Sequence, residues 1–379
     1  MVQEHLTYKE MTDFGCFYTP QRFVDIVHKM INKYIINTHE YTLIDTSSGY
    51  GSFLNNLNNK FNKIKSNDID LKAVEIAREK NDNEIIYYNK NALLNVDKKM
   101  FEIADNEKFI VVGNPPYNDI TSIIKNGLKT ETPCKIDADI QTRDLGISFM
   151  LSYNKLKADY VAVLHPLSYL IKQANYKLLK PFLNNYVLLD SIIINSQEFN
   201  MTSKSTGFPI CINFYKRDKK GISYSEIKNK VWRTIEGEQF CFNKDIISNY
   251  LSKYPNKYKQ INKDSILFYT MRDINALKRS KTFIDKPCDN AIIIDFDKLP
   301  YYCYVDIFKD YAYKIPYYLG NFDVFINNTE FEKIKDEFIK KCVSKYAFLQ
   351  NKLKEYNLPP NELEIDLYFK KLLGDKYVY

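Results

Sequence analysis

Phe109-Ile110-Val111-Val112-Gly113-Asn114-Pro115-Pro116-Tyr117 is the stretch whose reading decides the fold. Four consecutive large apolar residues closed by a glycine predict a strand buried on both faces, as in a parallel sheet. The two prolines lack a backbone N–H and fix their φ angles, so the strand must stop there and Asn114 stays extended. An amide, two carbonyls and an aromatic ring therefore stand at the carboxyl edge of the strand, where open α/β sheets hold their ligands. The Asn114 side-chain oxygen and the Pro115 carbonyl can both accept from an exocyclic NH2, and Tyr117 can stack on a flat ring. Such a corner suits a planar substrate bearing an amino group.

Upstream, Thr42-Leu43-Ile44-Asp45 is followed by Thr46-Ser47-Ser48-Gly49-Tyr50-Gly51-Ser52-Phe53-Leu54, which reads as strand, glycine loop and a helix starting at Ser52. Gly49 and Gly51 remove Cβ where backbone must pass close to a ligand. A strand from Lys63 to Asn67 ends in Asp68, an acid about twenty residues past the loop and so placed to accept from ribose hydroxyls. The loop lacks the third glycine of G-x-G-x-x-G and the Lys-Ser/Thr of a phosphate loop. A nucleoside without phosphates fits it, and Asp45 suits an ammonium or amino group; S-adenosylmethionine is such a ligand. Further strands are expected at Ile85 to Tyr88, Tyr160 to Leu164, Leu188 to Ile193 and Ile210 to Phe214, with a helix from Leu145 to Leu156. The alternation predicts an α/β, doubly wound sheet.

In this order the residues resemble the adenine-N6 DNA methyltransferases whose cofactor half comes first and whose target-recognition region is C-terminal. The resemblance covers roughly Phe14 to Tyr215. Phe17-Tyr18-Thr19-Pro20 resembles the family's N-terminal cofactor motif, Asp45, Gly49 and Gly51 its glycine loop, Asp68 its ribose acid, and Asn114 to Tyr117 its catalytic motif. The chain departs from the family in having Thr46 where proline usually follows the loop's acid, and Asn91 where the cofactor-adenine acid usually ends the third strand. The resemblance implies a methyltransferase domain over 1–220 and an α+β recognition domain over 221–379. It implies S-adenosylmethionine as cofactor, held by Phe17, Tyr18, Thr19, Pro20, Asp45, Gly49, Gly51, Asp68, Asn91 and Asn114. Asn114, Pro115 and Tyr117 would be catalytic, with Tyr117 and Phe199 stacking on a flipped base. The implied partner is double-stranded DNA, with a separate restriction endonuclease in a restriction-modification system. An RNA adenine-N6 methyltransferase shares the tetrapeptide, and a catalytically silent DNA-binding specificity protein would share the fold.

The bulk composition is compatible with this. The net charge of +7 is uneven: between Lys216 and Lys281 sixteen Lys or Arg face seven Asp or Glu. A polyanion such as a phosphate backbone matches that surplus, and Arg272, Arg279 and Lys281 are candidate groove or phosphate contacts. Seven cysteines are dispersed without a Cys-x-x-Cys pair and the four histidines lack ligand spacing, so no metal and no disulfide framework is expected. Met1 to Lys9 does not read as a signal peptide and no apolar run reaches membrane-spanning length, which points to a soluble cytoplasmic protein.

Overall fold

A computed structural model describes residues 19–55, 57, 60–81, 84–117, 135–199 and 206–374. The chain divides into two compact units, Met1–Cys241 and Phe242–Tyr379.

The first unit is built on a seven-stranded sheet: β1 (Thr42–Asp45), β2 (Lys63–Asn67), β3 (Ile85–Tyr88), β4 (Phe109–Gly113), β5 (Tyr160–Pro166), β6 (Tyr186–Asn195) and β7 (Pro209–Arg217). The spatial order is β3-β2-β1-β4-β5-β7-β6. The first five strands are parallel, whereas β7 runs antiparallel to both β5 and β6. Parallel pairing buries both faces, which is why β4 reads as an unbroken apolar run and is buried at all five positions. Leu43, Ile110, Val112, Ala162 and Leu164 meet Phe23, Val24, Val27 and Ile31 of helix α1 (Gln21–Tyr34) in one core. The alternate residues Ile44, Val111, Val161 and Val163 are buried on the opposite face, as a period of two requires. Helices α2 (Leu71–Lys80), α3 (Leu145–Leu156) and α4 (Gln173–Leu183) complete the layers. Asp144 caps α3 through Oδ1, accepting from the N–H groups of Gly146 and Ile147.

Two local expectations change. The glycine loop does not enter a helix at Ser52; residues 49–55 run as successive turns, with Gly51 N–H donating to Ser48 O and Leu54 N–H to Gly51 O. Gly49 and Gly51 take left-handed backbone, at φ +53° and +77°, which shapes the first part of this loop. The first unit also extends past residue 220. Trp232 is fully buried, its Nε1–H donating to Ile227 O, and the Ile235 N–H donates to Ile193 O of β6. These contacts hold residues 222–241 with the sheet, so the structural division falls at Cys241.

The second unit is α+β, with a three-stranded sheet of Leu267–Tyr269, Phe283–Ile284 and Ala291–Ile293 and the helices α5 (Leu299–Tyr311), α6 (Asn328–Lys345) and α7 (Glu362–Leu373). The seven- and four-residue spacing of Phe331, Phe338 and Cys342 puts them on the buried side of α6, where the two phenylalanines meet Tyr304 of α5. The helix ends at Lys345, and Ile334 has non-helical φ and ψ, so the periodic run from Phe331 to Leu353 is a kinked helix followed by separate turns. No helix among the described residues is long and apolar enough to cross a membrane.

Candidate cofactor and base site

The strand order reverses between β1 and β4: β2 and β3 lie on one side, β5 and the remaining strands on the other. A crevice opens outside the carboxyl ends at such a reversal. Four of the residues singled out in the sequence stand on that edge, one per strand: Asp45 ends β1, Asp68 follows β2, Asn91 follows β3 and Asn114 follows β4.

Asp45 is 1% exposed and its Oδ1 accepts the Ser47 N–H at 3.0 Å. Burial pushes its carboxyl up to about 8; the Ser47 N–H opposes the rise and nearby Asp68 adds to it. Asp68 binds the loop directly, Oδ2 accepting the Gly49 N–H at 2.8 Å and Oδ1 the Asp70 N–H at 3.0 Å. The Ile69 N–H is a third backbone donor to this carboxylate, which with about four lone-pair positions keeps room for a hydroxyl donor. Burial raises the Asp68 pKa as well, against those backbone hydrogen bonds. Asn67, which the sequence reading passed over, ties three strand ends together: Nδ2 donates to Thr46 O and Lys90 O, and Oδ1 accepts the Lys90 N–H. Asn91 is held by its neighbours, its Oδ1 accepting the Leu93 N–H and its Nδ2 donating to Lys135 O at 2.7 Å.

At the β4 corner, Asn114 and Tyr117 are half-buried and Pro115 is buried. The Asn114 Nδ2 donates to Thr19 Oγ1 at 3.1 Å, which fixes which end of the amide is the acceptor. The other end, Oδ1, accepts from the Tyr117 hydroxyl. Thr19 and Pro20 directly precede α1, and Thr19 is buried, so the N-terminal motif and the catalytic motif meet through one hydrogen bond. Burial, with smaller effects from Cys211, Tyr153 and Asp144, raises the Tyr117 phenol well above its ordinary value and keeps it protonated. Phe17 and Tyr18 lie outside the described residues.

Phe199 is placed otherwise than expected. It is 3% exposed within the core, tilted on Phe23 at 5.6 Å between ring centroids, so it packs helix to sheet. Arg272, Arg279 and Lys281 are all exposed in the second unit. No group of three or more His, Cys, Asp or Glu among the described residues could hold a metal ion.

The structure also brings forward groups that the sequence reading missed. Among the described residues, the buried side-chain oxygens Ser47 Oγ and Asn55 Oδ1 have no hydrogen-bond partner, while Thr46 Oγ1 and the Tyr153 hydroxyl have only each other. Three belong to the β1 turn and glycine loop, and Tyr153, on α3, faces Thr46 and Asp45. Buried polar groups are nearly always satisfied, and each orphan costs about 1–3 kcal/mol. Hydroxyls and an amide oxygen beside a buried carboxyl fit a small zwitterion such as an amino-acid moiety. The run Thr46-Ser47-Ser48 was the available signal: three hydroxyls between an apolar strand and a glycine.

Asp45 gives the site a pH signature. Its folded pKa lies above the unfolded value of about 3.9, so the unfolded chain ionises first and this residue's contribution to stability falls as pH rises from about 4 to about 8. The Asp45→Asn protein is expected to lose that slope, melting higher than the parent at pH 8 and alike at pH 4, and to lose cofactor affinity. Thermal unfolding at both pH values, with and without S-adenosylmethionine, measures both effects.

No protein-family model matches the chain. Over 108 residues, 28% of this chain and 42% of the relative, it is 32% identical to an rRNA adenine N-6-methyltransferase from Limosilactobacillus reuteri. Over 118 residues, 30% of this chain and 27% of the relative, it is 30% identical to the Type II methyltransferase M.CvrRI of Paramecium bursaria Chlorella virus XZ-6E. The chain thus spans less than half the length of either curated relative. Among solved structures, the methyltransferase subunit of a type I restriction-modification system from Streptococcus thermophilus is 16% identical, with 80% of this chain and 56% of that one covered and a TM-score of 0.41. These relatives are methyltransferases, and the seven-stranded sheet with its antiparallel β7 is the Rossmann-like fold of S-adenosylmethionine-dependent methyltransferases.

Proposed function

We propose that this chain is an adenine-N6 methyltransferase acting on duplex DNA with S-adenosylmethionine, as the modification enzyme of a restriction-modification system whose nuclease is a separate chain. The observation that carries this reading is the corner after β4. There the Asn114 amide, oriented by Thr19, stands at the same sheet edge as Asp45, Asp68 and a cluster of buried hydroxyls from Thr46, Ser47 and Tyr153. In this reading Asp45 and the hydroxyls of Thr46, Ser47 and Tyr153 hold the amino-acid end of the cofactor, and Asp68 holds its ribose. The half-buried Asn91 lies toward its adenine, and Phe17 and Tyr18 belong to the same site. When bound, the cofactor supplies an electrophilic methyl on a sulfonium.

The chain's own residues do the rest by positioning. An adenine inside a duplex cannot reach this corner, so it is rotated out of the stack. Its amino nitrogen is a weak nucleophile because the lone pair is delocalised into the ring. Asn114 Oδ1 and the Pro115 carbonyl, each accepting one amino hydrogen, favour a pyramidal nitrogen and localise that pair. Acceptors fixed before the reaction cost no reorganisation during it. Tyr117 stacks on the base, for which its hydroxyl gives up Asn114 Oδ1. The Tyr117→Phe protein is therefore expected to retain transfer, since the ring remains and a competitor for the acceptor is gone. Tyr117→Ala should weaken capture of the extruded base by about 1–3 kcal/mol. Fluorescence of 2-aminopurine placed at the target position reads the capture step in both proteins.

Duplex DNA is favoured by the concentration of positive charge: between Lys244 and Lys281 the second unit carries nine Lys or Arg against three Asp or Glu. Arg272, Arg279 and Lys281 are exposed members of that set, and target recognition is assigned to this unit. RNA is the second reading, favoured by the likeness to an rRNA adenine N-6-methyltransferase. Incubation with labelled S-adenosylmethionine and either DNA or RNA, followed by digestion to nucleosides, tests both. N6-methyladenine from duplex DNA is the expected product; label only in RNA would replace the first reading by the second, and label in neither would refute both.

A further inference from the structure

In the second unit, residues 254–263 form an irregular loop whose side chains break the usual pattern of a soluble surface. Tyr258 is 95% exposed and Tyr254 60% exposed. A large aromatic held almost wholly in water gains nothing from burial in the fold, so its position is not explained by packing.

The loop is nevertheless firmly based. Lys253 Nζ donates to Arg272 O and pairs with Asp323 at 2.7 Å on one side; Lys352 Nζ donates to Lys263 O and Ser265 O on the other. At the crest, the Tyr258 N–H donates to Asn256 Oδ1 in an Asx turn, and Lys259 bridges to Asp295, which adjoins Phe296, another aromatic at 63% exposure. Exposed Lys257 and Lys263 flank the crest, and exposed Arg272 adjoins the base. Two acids meet this segment through ion pairs, Asp295 with Lys259 and Asp323 with Lys253.

We infer that this loop is a nucleic-acid contact element, with Tyr258 stacking on a base or base step while Lys257 and Lys263 engage the flanking phosphates of a DNA duplex. The inference rests on the reading of the chain as a DNA methyltransferase and adds to it a surface and a mode of contact. Stacking tolerates any sequence, because every base has a π-face, and the lysines contribute through counterion release. The loop therefore supplies grip rather than sequence discrimination.

The test uses the full chain and a fluorescein-labelled duplex, read by anisotropy across a salt series. Tyr258→Ala is expected to weaken binding about 5- to 100-fold, with Tyr258→Trp restoring it. Joint replacement of Lys257 and Lys263 by alanine should lower the slope of log affinity against log salt by about 2. All these side chains are exposed, so a matching cofactor titration in each variant verifies the fold. Parent and variants binding the duplex alike would overturn the inference and leave the DNA reading standing. A parent that binds S-adenosylmethionine but no duplex would overturn both. Binding confined to single-stranded RNA or to anionic vesicles, and lost in Tyr258→Ala, would also overturn the assignment to duplex DNA.

Discussion

Asn114→Ala is expected to lower methyl transfer about 10²- to 10³-fold, the usual cost of removing one preorganised partner of developing charge, while leaving S-adenosylmethionine affinity essentially unchanged. The division follows from the geometry. Asn114 bonds to Thr19 and Tyr117, whereas the two acids assigned to the cofactor are anchored independently of it: Asp45 by Ser47, Asp68 by Gly49 and Asp70. Single-turnover transfer measured beside equilibrium cofactor binding separates the two. Equal loss of both would mean that Asn114 only supports the cofactor pocket, and the acceptor role would fall.

The largest effect on stability is expected at Asp306, which is 1% exposed in α5. Its carboxylate accepts from Thr282 Oγ1 at 2.5 Å and the Tyr346 hydroxyl at 2.7 Å, pairs with Lys345 Nζ at 2.9 Å, and receives the Cys342 thiol at 3.5 Å. Burial opposes the Lys345 charge, but the attraction of Asp306 outweighs it and raises the lysine's pKa. Lys345 keeps Asp310 at 3.0 Å, but truncating Asp306 leaves the Thr282 and Tyr346 hydroxyls without their acceptor, at about 1–3 kcal/mol each. Asp306→Ala should lose that much in urea unfolding, and Asp306→Asn less, because an amide oxygen still accepts from the two hydroxyls.

Much of this molecule was legible in its sequence, for identifiable reasons. The helix Leu145–Leu156 falls on the residues expected and β4 departs only by including Gly113, because each is an apolar run or stripe bounded by a turn or cap; β2, Lys63-Ile64-Lys65-Ser66-Asn67, also falls where expected, between the glycine loop and Asp68. The edge positions of Asp45, Asp68 and Asn114 followed from strand-then-polar patterning alone. What escaped depends on partners distant in the chain. Nothing in the sequence marks Tyr153, whose hydroxyl meets Thr46 only through the placement of α3. Phe199 sat beside a turn in sequence, but the Phe23 ring it meets lies 176 positions away. The compact unit runs on to Cys241 because residues 222–241 lie beside β6, where the Ile235 N–H donates to Ile193 O, a pairing distant in the chain.

Gly113 joins β4 to the Asn114 corner at φ +149°, and a Cβ there would lie 2.8 Å from Asp45 Oδ1. Any larger residue would therefore displace a carboxyl belonging to a different strand while also twisting the amide that follows it. The two ends of the proposed reaction are thus registered to each other through a missing side chain. Position 113 is thereby closed to any residue with a side chain for as long as a carboxyl stands at 45.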